Sequence, residues 1–307
     1  MIANILTQSP RILAECAVAE RLRRTPGITL HPTLFHTPLI YASDESRHAM
    51  AAIYRQYINI AKAHALPLLL CAPTWRLDAS RTADANMPPT ILRDAVDFMK
   101  TLRDETSSDQ PAIAIGALVG PRSDCYRPDL APDAAAAERF HRPQIEALAL
   151  TDTDFLLAQT LPSVAEAIGI ARVMAQTGKP YVLSFCTGID GKVLDGTPLS
   201  IAMQRVDAAC SNENRPLGYF VNCTHPRFLL SAYQPGELTR LIGIQANGSS
   251  RDVTQLDGAE KTFADPLADW TQSMLELHQQ YKVPILGGCC GTDHLHLEAL
   301  ASKGNAR

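Results

Sequence analysis

No run of lysine and arginine stands out in this chain beyond Arg21, Arg23 and Arg24, and its formal charge is −4. Nucleic acids and anionic membrane surfaces both call for a concentrated positive field, so neither is an expected partner. The three arginines read as the solvated end of a helix. No apolar stretch is long enough to span a bilayer, and Met1-Ile2-Ala3-Asn4 lacks the basic start and apolar run of a signal peptide. The eight cysteines are therefore expected to stay reduced in a cytoplasmic setting, as metal ligands or inert thiols. Nothing resembling a linker divides the chain either: Ser107–Pro111 and Asn212–Pro216 have ordinary loop length.

What is present is a repeated alternation. Apolar, strand-like runs recur at Leu68–Ala72, Ala112–Val119, Asp154–Ala158, Tyr181–Phe185, Tyr219–Asn222, Leu241–Gln245 and Pro284–Leu286, with a weaker one around Ala3–Leu6. Helical periodicity fills the gaps at Ser46–His64, Ala134–Leu150, Ser163–Thr177 and Leu267–Tyr281. The first of these follows Ser43 and Asp44, both good N-cap types, and the third runs into Gly178, a helix-ending residue. Strands that are apolar throughout, rather than alternating, belong to a parallel sheet covered on both faces. Eight such strands in 307 residues fit an α/β fold of one domain over 1–307, a single (β/α)8 TIM barrel. A doubly wound open sheet is the competing arrangement.

In such a barrel the active site lies at the C-terminal strand ends. Cys223 closes the Tyr219–Asn222 strand, and Gly287-Gly288-Cys289-Cys290-Gly291-Thr292 closes the last. These strands are two apart around the ring, close enough for their thiols to share an ion. Neighbouring residues on a regular strand face opposite ways, so Cys289 and Cys290 can both serve only if the backbone bends, which the flanking glycines allow. Three thiolates form a soft, zinc-selecting set, and three protein ligands with no obvious fourth leave a catalytic position open. Cys71, Thr74, Arg76, Gly120-Pro121-Arg122, Gln159-Thr160, Cys186 and Asn247 also fall at or after strand ends. Arg76 and Arg122 suit a carboxylate, or a rim pairing.

From about Leu68 to Leu300 the chain resembles the homocysteine S-methyltransferase family. The residues that carry the likeness are Ala72-Pro73-Thr74-Trp75-Arg76, Gly120-Pro121-Arg122, Gln159-Thr160-Leu161-Pro162-Ser163, Asp195-Gly196-Thr197-Pro198, Asn222-Cys223 and the Gly-Gly-Cys-Cys-Gly-Thr segment. The resemblance implies that Cys223, Cys289 and Cys290 hold Zn2+ and carry the catalysis, with a small-molecule thiol as fourth ligand. It places Gln159, Asn222, Thr7 and Gln8 in the substrate-binding set. Coordination would deprotonate a thiol that is otherwise mostly neutral at pH 7, leaving an in-line methyl transfer governed by alignment.

Two positions depart from the family pattern. An Asp-Gly-rich segment is expected after the first strand, where Thr7-Gln8-Ser9-Pro10-Arg11 stands. The fourth strand is expected to end in Glu-Thr, the carboxylate gripping the substrate's ammonium group, but here the residue is Gln159. An amide accepts a hydrogen bond without the charge that makes such contacts strong. Homocysteine is thus the default acceptor, and another thiol the alternative. No glycine-rich nucleotide loop on a Rossmann strand is evident, which favours a small sulfonium donor such as S-methylmethionine over S-adenosylmethionine. A redox role for the vicinal cysteines and a non-catalytic zinc protein are the competing readings. His225, His294 and His296 could close the metal site instead of leaving it open, and Asn222 could simply cap its strand.

Overall fold

The computed structural model describes residues 1–105, 111–252 and 263–303, so residues 107–110 of the first of the two loops lie outside it. Eight strands run in parallel around a closed barrel in sequence order: β1 (Ile12–Ala14), β2 (Leu68–Ala72), β3 (Ile113–Val119), β4 (Phe155–Leu161), β5 (Tyr181–Cys186), β6 (Tyr219–Asn222), β7 (Leu241–Ala246) and β8 (Ile285–Gly288). The ring closes where β1 pairs with β8, Ile12 opposite Ile285. Helices α1 (Ile2–Gln8), α2 (Ala19–Arg23), α3 (Asp44–Ala63), α4 (Ala79–Asp84), α5 (Ile91–Asp104), α6 (Ala134–Ala149), α7 (Val164–Met174), α8 (Leu199–Ala209), α9 (Pro226–Ala232), α10 (Leu267–Tyr281) and α11 (His294–Ser302) precede, follow or link the strands. The (β/α)8 expectation holds, and the open sheet is excluded by closure.

Alternate strand residues separate two cores. Ile12, Ala14, Leu69, Cys71, Ala114, Leu118, Phe155, Leu157, Val182, Phe220 and Ile285 fill the barrel interior, while their neighbours pack outward against the helices. Gly116 and Gly243 leave room for the Phe155 and Phe220 rings, since a side chain at either would collide with its ring. The helices start where their caps dictate: Ser43, Asp133 and Ser163 each accept a backbone N–H in the first turn of α3, α6 and α7. Helix α7 stops at Met174 rather than running to Thr177; Gly178 takes its left-handed φ of 70° in the turn beyond. No helix among the described residues is long and apolar enough to cross a membrane.

One strand assignment is overturned. Ala3–Leu6 lies in helix α1, and the first strand is Ile12–Ala14. Ile2 and Ile5 are buried with Ile12, Phe155 and Ile285, each of which opens its strand, so α1 plugs the base of the barrel. An apolar pair three residues apart is the spacing of one helical face, which in so short a run outcompetes the strand reading.

Candidate active site and metal centre

The three expected thiols converge. The sulfurs of Cys223, Cys289 and Cys290 lie within 4.8 Å of one another, and Cys223 Sγ stands 3.1 Å from Cys289 Sγ. Tetrahedral zinc–thiolate bonds of about 2.3 Å need sulfurs about 3.8 Å apart, so the set fits such an ion with small adjustments. Cys223 is buried, Cys289 half-buried and Cys290 exposed, which turns the open side of the cluster toward solvent. No histidine or carboxylate joins the group among the described residues. His225 instead accepts the Arg227 N–H with Nδ1 and turns Nε2 toward Asp265 at 3.6 Å, while His296 pairs with Asp293 in a capping box. Contact with Cys223 and burial hold the Cys289 thiol neutral, well above its ordinary pKa. Binding a cation there must release protons.

Backbone geometry puts the sulfurs where they are. Cys223 leaves β6 in a left-handed conformation (φ 51°), uncommon without glycine, and so turns back over the strand end. Asn222 locks that turn. Its Oδ1 accepts from Thr160 N (2.9 Å) and Ser184 Oγ (2.5 Å), and its Nδ2 donates to Thr160 Oγ1 (2.7 Å) and Cys223 Sγ (3.4 Å). Fully engaged in this way, Asn222 positions the thiol and the irregular end of β4, where Thr160 also has a positive φ of 66°. The vicinal pair is braced from two sides. Cys289 N–H donates to Ala246 O and Gly248 N–H to Cys290 O, both from the end of β7. Gly291 has φ 79°, and its N–H donates to the Glu20 carboxylate on α2 at 2.6 Å. The two cysteines thus sit on a bend, not on a strand, and both reach one point.

Gln159 lies on the inner face of β4, which runs three residues further than the sequence suggests. Its amide donates to Gln245 Oε1 on β7 at 2.7 Å, and Gln245 in turn donates to the Glu15 carbonyl at 3.3 Å. A neutral amide bridge therefore spans the mouth. Thr7 and Gln8 are placed elsewhere. They end α1, exposed, ahead of the base of β1, so neither stands at the mouth with the thiols. The segment that follows the real first strand is Glu15-Cys16-Ala17-Val18, which also departs from the Asp-Gly pattern. Glu15 is buried with Oε2 accepting the Cys71 N–H at 2.8 Å, and burial pushes its carboxyl up to about 8. It replaces the ladder partner that β2 loses where β1 stops.

Arg76 and Arg122 separate. Arg122 is exposed, with its guanidinium over Phe140 on α6 and its N–H held by Glu166 of α7. Arg76 stays at the mouth, stacked on Trp75 at 4.4 Å. Gln245, Glu20 and Tyr126, whose ring packs on Cys186 and Cys223, were not singled out from the sequence. Gln245 closes a predicted strand and was open to the same strand-end reasoning as Gln159. Glu20 and Tyr126 lie in loops and a five-residue helix with no local pattern.

The whole-chain comparisons agree with this geometry. A family model described as homocysteine S-methyltransferase matches residues 12–303. A homocysteine S-methyltransferase of Bacillus subtilis, YbgG, is 24% identical over 98% of this chain and 96% of its own length. The Escherichia coli homocysteine S-methyltransferase is 23% identical over 73% of this chain and 74% of its own. The crystal structure of Escherichia coli MmuM in its metallated form superposes with a TM-score of 0.75 at 19% identity, covering 98% of this chain and 99% of that one. The chain is a methyltransferase that belongs to the homocysteine S-methyltransferase family.

Proposed function

We propose that the chain holds zinc on Cys223, Cys289 and Cys290 and transfers a methyl group from a sulfonium donor to a thiol. Homocysteine is the default acceptor, and S-methylmethionine or S-adenosylmethionine the donor. The observation that carries this reading is the convergence of three sulfurs within 4.8 Å at the barrel mouth, with no fourth side chain of ligand type among the described residues. That the similar MmuM has a metallated form supports it. Bound there, the ion would keep the acceptor sulfur deprotonated at neutral pH. The protein's own part is positional. Asn222 fixes the Cys223 sulfur, Glu20 and the end of β7 fix the cysteine bend, and the exposed flank at Cys290 admits the acceptor. The acceptor's proton passes to solvent, its sulfur forms the new S–CH3 bond, and the donor's C–S bond breaks. The bonding pair stays on the donor sulfur, which leaves as a neutral thioether.

The Gln159–Gln245 bridge favours a second form of this reading, in which the same site methylates a thiol other than homocysteine. A carboxylate there would pair with an ammonium group, whereas two amides satisfied by each other offer it no charge. Zinc content separates these readings from a metal-free enzyme. The wild type is expected to carry one ion per chain and Cys290→Ser much less, with X-ray absorption shifting toward all-sulfur ligation on adding thiol. A zinc-free, fully active protein would overturn the metal. Homocysteine turnover far above that of other thiols would overturn the altered acceptor.

A further inference from the structure

Arg76 is a cation at the mouth. Arg76 Nη1 donates to the Ser123 carbonyl at 3.2 Å, its guanidinium lies on the Trp75 ring, and no carboxylate comes within ion-pair distance of it among the described residues. The two carboxylates whose charge reaches it are engaged elsewhere. Asp78 is held by Arg81 and Ser80, and Asp124 accepts the Tyr126 N–H. Burial accordingly disfavours the charge on Arg76 and lowers its pKa. A half-buried guanidinium without an anion is costly unless a ligand supplies one.

Its surroundings point that ligand into the site. Trp75 is fixed through Nε1 to the Gln159 carbonyl at 3.0 Å, so the platform beneath Arg76 is tied to the inner end of β4. Ser123 belongs to the loop whose Tyr126 packs on Cys223, so the guanidinium and the thiols border one short segment. Across this space the uncharged amides of Gln159 and Gln245 join β4 to β7. Among the described residues the mouth therefore offers a planar, bidentate cation for a carboxylate, and at the end of β4 an amide rather than a carboxylate for an ammonium.

We propose that Arg76 binds the carboxylate of the acceptor, and that the acceptor class is a mercaptocarboxylate lacking an ammonium group. This rests on the thiol methyl-transfer reading above. Three thiols of matched length separate the possibilities: 4-mercaptobutyrate, which is homocysteine without its amine; 3-aminopropane-1-thiol, which lacks the carboxylate; and homocysteine itself. Uncharged 2-mercaptoethanol is the control. Binding is read on cobalt-substituted protein through the thiolate-to-metal charge-transfer band, and turnover on the zinc enzyme with S-methylmethionine.

The wild type is expected to bind 4-mercaptobutyrate at least about tenfold more tightly than the aminothiol, and no less tightly than homocysteine. Arg76→Gln removes that preference, Arg76→Lys retains part of it, and neither alters the affinity for 2-mercaptoethanol. Equal weakening of all four thiols by Arg76→Gln, or a wild-type preference for homocysteine or the aminothiol, overturns the assignment. A cobalt band that answers to no thiol overturns the methyl-transfer reading itself, and this assignment with it.

Discussion

The two ends of this barrel are built on opposite terms. At the base, Ile2 and Ile5 of α1 close the interior against Ile12, Phe155 and Ile285, an apolar plug whose own residues all keep negative φ, the left-handed Ala65 and Lys282 standing in the turns that lead into β2 and β8. At the mouth, the polar side chains of Thr160, Asn222 and Gln245 are buried, and two non-glycine residues, Thr160 and Cys223, hold positive φ. Strain and buried polar groups persist only where surrounding contacts over-determine them. Here those contacts are the four hydrogen bonds of Asn222 and the two braces on the cysteine bend. The base stabilises the fold, and the mouth spends part of that stability on fixing sulfur atoms.

That contrast can be broken most forcefully at the base. Ile5→Ala is expected to cost about 2–4 kcal/mol of unfolding free energy, seen in denaturant melts, and to leave zinc affinity unchanged. A matching loss of zinc affinity would mean that the two ends are coupled. Glu15 tests the polar end. Its folded-state pKa, about 8, exceeds the ordinary value of 4.5, so the neutral buried acid contributes stability below pH 4.5. That contribution is lost as pH rises toward 8, and it amounts to a few kcal/mol, as an order of magnitude. Glu15→Gln keeps an acceptor for the Cys71 N–H and removes the titration. Its melting temperature should therefore gain on the wild type between pH 5 and pH 8, and a constant gap would refute the buried-acid account.

Smaller effects sharpen the mouth itself. Asn222→Ala removes the link between Cys223 and the end of β4, and zinc affinity measured by chelator competition should fall about 10- to 100-fold. Activity lost with zinc affinity intact would instead mark Asn222 as a substrate contact. Glu20→Gln retains a weaker acceptor for the Gly291 N–H, so a loss of less than about tenfold in the same competition is expected. Raising the pH should strengthen metal binding in every variant, because the thiols must shed protons to bind.

How far the sequence foretold all this differs by residue. Strands β2 to β8 were visible because a parallel strand covered on both faces leaves an unbroken apolar run. The first was misplaced because Ile12-Leu13-Ala14 is only three residues long and stands beside a short helix of similar composition. That error put Thr7 and Gln8 at the mouth, whereas they stand at the base. Gln159 was found because it ends a legible strand, but its partner Gln245 is 86 residues away, and no local pattern announces the pair. Glu20 contacts Gly291 across 271 residues, and Arg76 differs from Arg122 only in where each side chain turns.

The sequence alone therefore determined the barrel and the identity of the three thiols, since both rest on periodicity and on rare residue types close together in the chain. Only the tertiary structure decided that the thiols meet at one point, that Asn222 is spent on holding them, and that no carboxylate among the described residues comes within ion-pair distance of Arg76. Those outcomes depend on backbone torsions at Cys223 and Gly291 and on contacts between distant strands, and such contacts leave no periodic trace in the chain.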